Sequence, residues 1–79
     1  MEVKVLLDNV EKIKRFVGIT KNASCDIDLI ARNNVYLDGK SIMGILSCNI
    51  KEPLTIKINA EDSEKDDLLD QLEEYIVNA

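Results

Sequence analysis

The middle of this 79-residue chain reads Asp38-Gly39-Lys40-Ser41-Ile42-Met43-Gly44-Ile45-Leu46-Ser47. Asp-Gly suits a tight turn, and the hydroxyl of the serine that follows can accept a hydrogen bond from a backbone N–H in the first turn of a helix. The sequence therefore predicts a short helix capped by Ser41. A helix of about two turns cannot direct all four of its large apolar side chains, those of Ile42, Met43, Ile45 and Leu46, toward one sheet. We therefore expect some of them at the surface, where they form a candidate partner-binding cluster.

Before this segment, the sequence predicts a strand and a helix. Residues 2–7 alternate between apolar and mostly polar side chains, the pattern of a strand with one wet face. Asp8 and Glu11 have the spacing of a capping box, and apolar residues then recur on one helical face. We therefore expect a first helix that is capped by Asp8 and ends near Thr20.

Three further strands and a last helix complete the prediction. Residues 25–30 and 35–37 are two short strands joined by a turn, for which Asn33-Asn34 is suited because asparagine tolerates a left-handed backbone. Pro53 precedes a fourth alternating strand over residues 54–59. Ser63 has capping spacing for the last helix, whose apolar stripe is formed by Leu68, Leu69, Leu72, Tyr75 and Ile76.

The predicted element order is β-α-β-β-α-β-α within a single domain, residues 1–79. Four strands with one apolar face each indicate an antiparallel sheet covered on one side by helices. The expected fold is therefore an α+β two-layer open-faced sandwich. A ferredoxin-like split β-α-β arrangement shares most of these elements, so the pattern leaves the strand order open.

Composition narrows the functional classes. Ten Lys and Arg against fifteen Asp and Glu give a net charge of −5, which argues against direct nucleic-acid binding. No apolar run is long enough to span a bilayer, so we expect a cytoplasmic protein without membrane contact. Cys25 and Cys48 lack CxxC spacing and have no histidine to complete a metal set, so they are interpreted as small buried thiols; a disulfide is possible in principle but not expected in the cytoplasm.

The sequence contains no histidine. Its absence removes Ser-His triads, Cys-His pairs and phosphohistidine chemistry together. Any catalysis would have to use carboxylates and lysines, and we expect a protein that is not an enzyme and has no cofactor.

The run from Lys40 to Ser47 resembles the segment around the regulatory serine of HPr, the phosphocarrier of the bacterial phosphoenolpyruvate-dependent sugar phosphotransferase system. The resemblance implies a sheet of strand order 1-4-2-3 with three helices on one face. In HPr a histidine at the start of the first helix carries the phosphoryl group. Here Asn9 falls in the place of that histidine, and Glu11 in the place of the arginine that helps to hold the phosphoryl group.

An amide is not a nucleophile able to accept a phosphoryl group, and a carboxylate at Glu11 would repel the incoming dianion. The sequence is therefore most similar in type to the catabolite-repression HPr homologue, which lacks the histidine and keeps the serine. The resemblance implies phosphorylation of Ser41 by HPr kinase/phosphorylase and binding of the product to a LacI-type catabolite regulator. It assigns partner contacts to four neighbouring residues, Lys40, Ile42, Met43 and Leu46.

Other interpretations of the same residues stay open. Ser41 can be a plain N-cap without any modification. A second hypothesis is a degenerate interaction module that binds a partner constitutively through Ile42, Met43 and Leu46. A small-molecule-binding domain would need a pocket with converging polar groups, of which the sequence gives little sign. The expected oligomeric state is a monomer or a weak dimer.

Overall fold

The computed structural model describes residues 2–77. In chain order the elements are β1 (Val3–Val5), α1 (Val10–Thr20), β2 (Asp26–Ala31), a 3-10 turn (Arg32–Asn34), β3 (Val35–Asp38), α2 (Ile42–Leu46), β4 (Leu54–Asn59), α3 (Asp62–Gln71) and a second 3-10 turn (Glu73–Tyr75). This order confirms the predicted succession of strands and helices.

The four strands form one antiparallel sheet in the order β1-β4-β2-β3, and the helices cover one of its faces. Val3 pairs with Ile56, Ile27 pairs with Ile58, and β2 and β3 form a hairpin. The order implied by the HPr resemblance is therefore confirmed, and the ferredoxin-like alternative is not the fold. After the last 3-10 turn, Ile76 forms a bridge with Val5, so the end of the described chain lies along the outer edge of β1.

The core lies between the sheet and the helices, where the apolar side of each strand meets the apolar faces of α1 and α3. Phe16 of α1 is fully buried and meets the Tyr75 ring edge to face, with ring centroids 5.8 Å apart. Burying one side chain of this kind stabilises the fold by about 1.5–3 kcal/mol. The alternation of the strands and the stripe of the helices therefore create a single core.

The β2–β3 hairpin turns at Asn33 and Asn34, which have φ angles of 69° and 61°. Among non-glycine residues, asparagine is one of the few that occupies this left-handed region at low cost. The predicted pivot is confirmed, and it sends β3 back antiparallel to β2.

The cap predicted for the first helix is wrong by one residue. Asn9, not Asp8, has the extended backbone of an N-cap, and its side-chain oxygen accepts a hydrogen bond of 2.9 Å from the Lys12 N–H. The Asp8 carboxylate instead pairs with the Lys12 ammonium at 3.0 Å. Both residues are good caps, and the end of the preceding extended segment decides between them. The predicted end of this helix at Thr20 is confirmed.

The last helix also begins earlier than its sequence suggests. Glu61 is the N-cap of α3 without a side-chain cap bond, so Ser63 lies inside the helix and does not cap it. The α-helix ends at Gln71, and the apolar stripe continues through the 3-10 turn that buries Tyr75. The thiols of Cys25 and Cys48 are free but only half-buried, and desolvation raises the pKa of each.

Candidate functional site

The turn before Ser41 is fixed against the sheet. The Gly39 N–H donates to the Ile27 carbonyl at 2.8 Å, and the Ser41 N–H donates to the Asp38 carbonyl at 3.1 Å. The Asp38 carboxylate accepts from the Lys40 N–H at 2.9 Å, as short side chains at turns often do. A Cβ on Gly39 would lie 2.8 Å from both the Ile27 carbonyl oxygen and its Cγ2. Glycine is therefore the residue that lets this turn approach β2.

Ser41 is the N-cap of α2, as the sequence predicts. Its backbone is extended, and its Oγ accepts a hydrogen bond of 3.0 Å from the Gly44 N–H. Because the hydroxyl oxygen acts as the acceptor, this bond leaves the hydroxyl proton uncommitted. Ser41 is half-buried at the rim of the turn.

The apolar side chains of α2 point in two directions. Ile45 is fully buried in the core, and Ile42 is half-buried and packs against the core. Met43 is 82% exposed and Leu46 is 42% exposed. The surface predicted over Ile42, Met43 and Leu46 is thus formed mainly by Met43 and Leu46, and methionine is well suited to an adaptable contact.

Lys40 lies beside Ser41 in sequence, but its ammonium is engaged elsewhere. The Lys40 Nζ donates a hydrogen bond of 2.8 Å to the carbonyl of Ala23, just beyond the end of α1. This bond is partly shielded from solvent. The lysine therefore connects the turn to the segment that follows α1.

Thr20 is a residue of this region that sequence reasoning missed, since it was identified only as the end of a helix. It has no exposed surface, and its Oγ1 donates a hydrogen bond of 2.7 Å to the Gly39 carbonyl. The available signal was its position: it lies three residues after Val17 and four after Phe16, on the buried face of α1. A hydroxyl on such a face needs an acceptor, and here the turn supplies it.

The second region of interest is the junction of β1 and α1. Asn9 and Glu11 are exposed there, while Lys51 reaches across from the loop before β4 and donates to the Asp8 carbonyl at 3.2 Å. The hydrogen bond from Lys12 lowers the pKa of the Asp8 carboxyl, with burial opposing it. The junction therefore presents an amide that caps α1 and an ion pair between Asp8 and Lys12.

Asn9 and Ser41 lie toward opposite ends of α1. Asn9 caps its N-terminus, whereas the turn before Ser41 is bonded to Thr20 at its last residue. Eleven helical residues at 1.5 Å each separate the two ends by about 16 Å. The structure thus does not bring the two predicted places into one site.

The open face of the sheet carries a shallow depression of about 570 Å³. Its lining includes Lys4, Tyr36 and Thr55, and the ion pair of Arg32 with Glu52 at 3.1 Å forms one side. Two smaller depressions, of about 210 and 300 Å³, share part of its lining, and nothing distinguishes one of the three as a ligand site. Within residues 2–77, no helix is long and apolar enough to cross a membrane, and no group of three or more Cys, Asp or Glu side chains could hold a metal ion.

Comparison with known proteins agrees with this geometry. A solved structure described as the crystal structure of HPr-C-His from Thermoanaerobacter tengcongensis has a TM-score of 0.68 and 23% sequence identity to this chain, covering 92% of this chain and 91% of that one. At that identity the likeness shows the fold. No curated protein matches significantly.

The family model described as PTS HPr component phosphorylation site matches residues 11–78. The match begins at Glu11, so Asn9, which falls in the place of the HPr histidine, lies outside it. It includes the Ser41 turn, α2 and all elements from β2 onward. Because this match spans most of the sequence, the chain belongs to the HPr family.

Proposed function

We propose that this protein is a regulatory and binding member of the HPr family that carries no phosphoryl group on a histidine and is switched by phosphorylation of Ser41. The observation that carries the proposal is the absence of histidine from a chain that belongs to this family. Asn9 stands in the place of the phosphorylated residue, and its amide oxygen already caps α1. An amide at this position has no nucleophilic nitrogen to accept a phosphoryl group.

Two features support Ser41 as the modified residue. Its hydroxyl lies at the rim of a turn, half-buried and with its proton uncommitted by the cap bond. A phosphoryl group there adds a charge of about −1.5 to −2 beside α2 and replaces the neutral cap oxygen with stronger acceptors. Phosphorylation would therefore change the charge of the surface that Met43 and Leu46 form.

The proposed partners are those that the HPr resemblance implies, namely HPr kinase/phosphorylase and a LacI-type catabolite regulator in the cytoplasm. Met43, at 82% exposed, is the largest apolar contribution that α2 offers to such a partner. An exposed apolar side chain next to a charge that can be added or removed is suited to regulated binding. In this proposal the protein acts by binding and is not an enzyme.

The test is the intact mass of the purified protein after two separate incubations. One contains phosphoenolpyruvate and the first enzyme of the phosphotransferase system, and the other contains ATP and HPr kinase/phosphorylase. We expect the mass of one phosphoryl group to be gained only with the kinase, and to be lost in Ser41→Ala but not in Ser47→Ala. A gain with phosphoenolpyruvate, or none with the kinase, would overturn the proposal.

A second candidate is a constitutive interaction module without phosphorylation, which the exposure of Met43 favours. Purified catabolite regulator immobilised on a surface should then retain the unmodified protein, and Met43→Asp should abolish retention. Tyr36→Asp is a matched control because Tyr36 is 58% exposed and lines the depression on the open face of the sheet, opposite the helices. Equal retention of both variants would contradict this candidate.

A further inference from the structure

Thr20 carries a fully buried hydroxyl at the last residue of α1. Its hydroxyl has no exposed surface and donates at 2.7 Å to the Gly39 carbonyl, 19 residues away in sequence. The Val17 carbonyl lies 3.4 Å from the same oxygen, a much weaker contact. The stronger bond therefore connects the last residue of α1 to the turn that carries Ser41.

Two more bonds hold the same turn from different sides. The Lys40 ammonium binds the Ala23 carbonyl at 2.8 Å, and the Gly39 N–H binds the Ile27 carbonyl of β2 at 2.8 Å. The turn is thus tied to α1, to the segment after α1 and to the sheet. None of these bonds involves Ser41 itself, yet together they set where its backbone begins.

We propose that Thr20 and Lys40 are positioning residues for Ser41. Their bonds to the Gly39 and Ala23 carbonyls hold the turn so that the Ser41 hydroxyl caps α2 and faces outward in one orientation. The inference rests on the proposed modification of Ser41 and adds the residues that present it. It gives Lys40 a role within the fold beside the partner contact that the HPr resemblance implies.

Removal of the Thr20 hydroxyl would leave the Gly39 carbonyl without its hydrogen-bond donor. Gly39 is buried, so its carbonyl would lose its partner where water does not readily replace it. The turn can then regain a partner only by moving toward solvent, which separates the Ser41 Oγ from the Gly44 N–H. Valine has nearly the shape of threonine, so Thr20→Val removes the bond with little change in volume.

The first readout is amide hydrogen exchange by NMR at Gly44 and Ser41, whose N–H groups report the cap and the turn. We expect Thr20→Val to accelerate exchange at both by at least about fivefold beyond any change at β2 and β4 amides. Thr20→Ser keeps the hydroxyl and should restore protection. Ile13→Val is the matched control, since Ile13 is a fully buried residue of the same helix.

Lys40→Met supplies an independent variant if Thr20→Val does not fold. It removes the bond to Ala23 and keeps a long side chain at a partly buried position. It should also accelerate exchange at Ser41 and Gly44, while amides of β2 and β4 keep their protection. The inference would be overturned if the Gly44 amide in Thr20→Val and Lys40→Met exchanged no faster than it does in Ile13→Val. It would also be overturned if the Gly44 amide of the unaltered protein showed no measurable protection.

The second readout is the kinetics of Ser41 phosphorylation with HPr kinase/phosphorylase and ATP. Thr20→Val should lower kcat/KM by at least about fivefold relative to Ile13→Val, and Thr20→Ser should recover it. If the unaltered protein is phosphorylated and Thr20→Val equals the control, positioning fails while the proposed function stands. If the unaltered protein is not phosphorylated, the proposed function fails, and the exchange data alone decide whether Thr20 and Lys40 hold the turn.

Discussion

The same substitution at two glycines should have opposite effects on stability. Gly39 lies in the turn against β2, and Gly18 lies within α1. Neither has a positive φ angle, so alanine can adopt both backbone conformations. The two sites differ in the space around them, because a Cβ at Gly18 meets no heavy atom within 4 Å, whereas one at Gly39 lies 2.8 Å from two atoms of Ile27.

The expected magnitudes follow from that difference. One of the two close atoms at Gly39 is a backbone oxygen, so relief requires the turn or β2 to move. Overpacking of this kind costs about 1–3 kcal/mol. At Gly18 alanine loses less conformational entropy on folding than glycine and should stabilise the helix by about 0.5–1 kcal/mol. For a domain of this size, 1 kcal/mol shifts Tm by roughly 4–8 °C.

Urea unfolding of the two variants and the unaltered protein, followed by circular dichroism, measures these free energies. We expect Gly39→Ala to lower the unfolding free energy and Gly18→Ala to raise it. The slope of the unfolding free energy against urea concentration should stay the same in both variants. A loss below about 0.5 kcal/mol at Gly39 would refute the tight approach of the turn to Ile27. A loss at Gly18 would refute the claim that open space surrounds that position.

Three further predictions test the caps and ion pairs. Ser41→Ala should lower the unfolding free energy by about 1 kcal/mol in urea titration, because the Gly44 N–H loses its cap, and an unchanged value would contradict that bond. The pKa of Asp8 is lowered in the folded protein by Lys12, so its contribution is present above the unfolded pKa of about 4 and is lost as pH falls through the folded value. Asp8→Asn should therefore flatten the loss of Tm below about pH 4, and a parallel loss in both proteins would argue against the pairing. A double-mutant cycle on Arg32 and Glu52 should give a coupling of at most about 1 kcal/mol, since Arg32 is 79% exposed, and a larger value would show a shielded pair.

The sequence was sufficient to predict the strands and turns that neighbouring residues specify by themselves. The alternation of Leu54, Ile56 and Ile58 identified β4, and the Asn33-Asn34 pair identified the hairpin turn. The strand order came from the family resemblance, because each strand shows only that it has one apolar face. The pairing of β1 with β4, the sheet neighbour most distant in sequence, is set by packing that alternation does not encode.

The N-caps of α1 and α3 were predicted at the wrong residues, because residue type and spacing alone do not determine where a helix begins. Asp8 and Asn9 are equally good caps by residue type, but Asn9 has the extended backbone that ends the preceding segment and so becomes the cap, while Asp8 pairs with Lys12. Ser63 has capping spacing, but Glu61 already has the extended backbone that begins α3. In both cases the start of the helix depends on how the preceding segment leaves the sheet.

In the Ser41 region, too, the contact between residues close in sequence was predicted and the long-range contacts were not. The cap from Ser41 to Gly44 joins residues three apart, and the sequence predicted it. The bonds that orient the turn join Thr20 to Gly39 and Lys40 to Ala23 across 19 and 17 residues, and no local pattern marks them. The family resemblance implied a partner contact for Lys40, and the structure shows that its ammonium binds the Ala23 carbonyl, beyond the end of α1.

This division has a consequence for transferring function between sequences. A chain that shares the run from Lys40 to Ser47 has the residues for the capped helix, but the placement of that helix also requires a glycine at Gly39 and a donor at Thr20. A bulky residue at position 39 or an apolar residue at position 20 would leave the run recognisable but change the position of its serine relative to the sheet and α1. The residues that set the position of the Ser41 turn are therefore distributed between the run itself, Gly39 and the buried end of α1, and a comparison confined to the run omits Gly39 and Thr20.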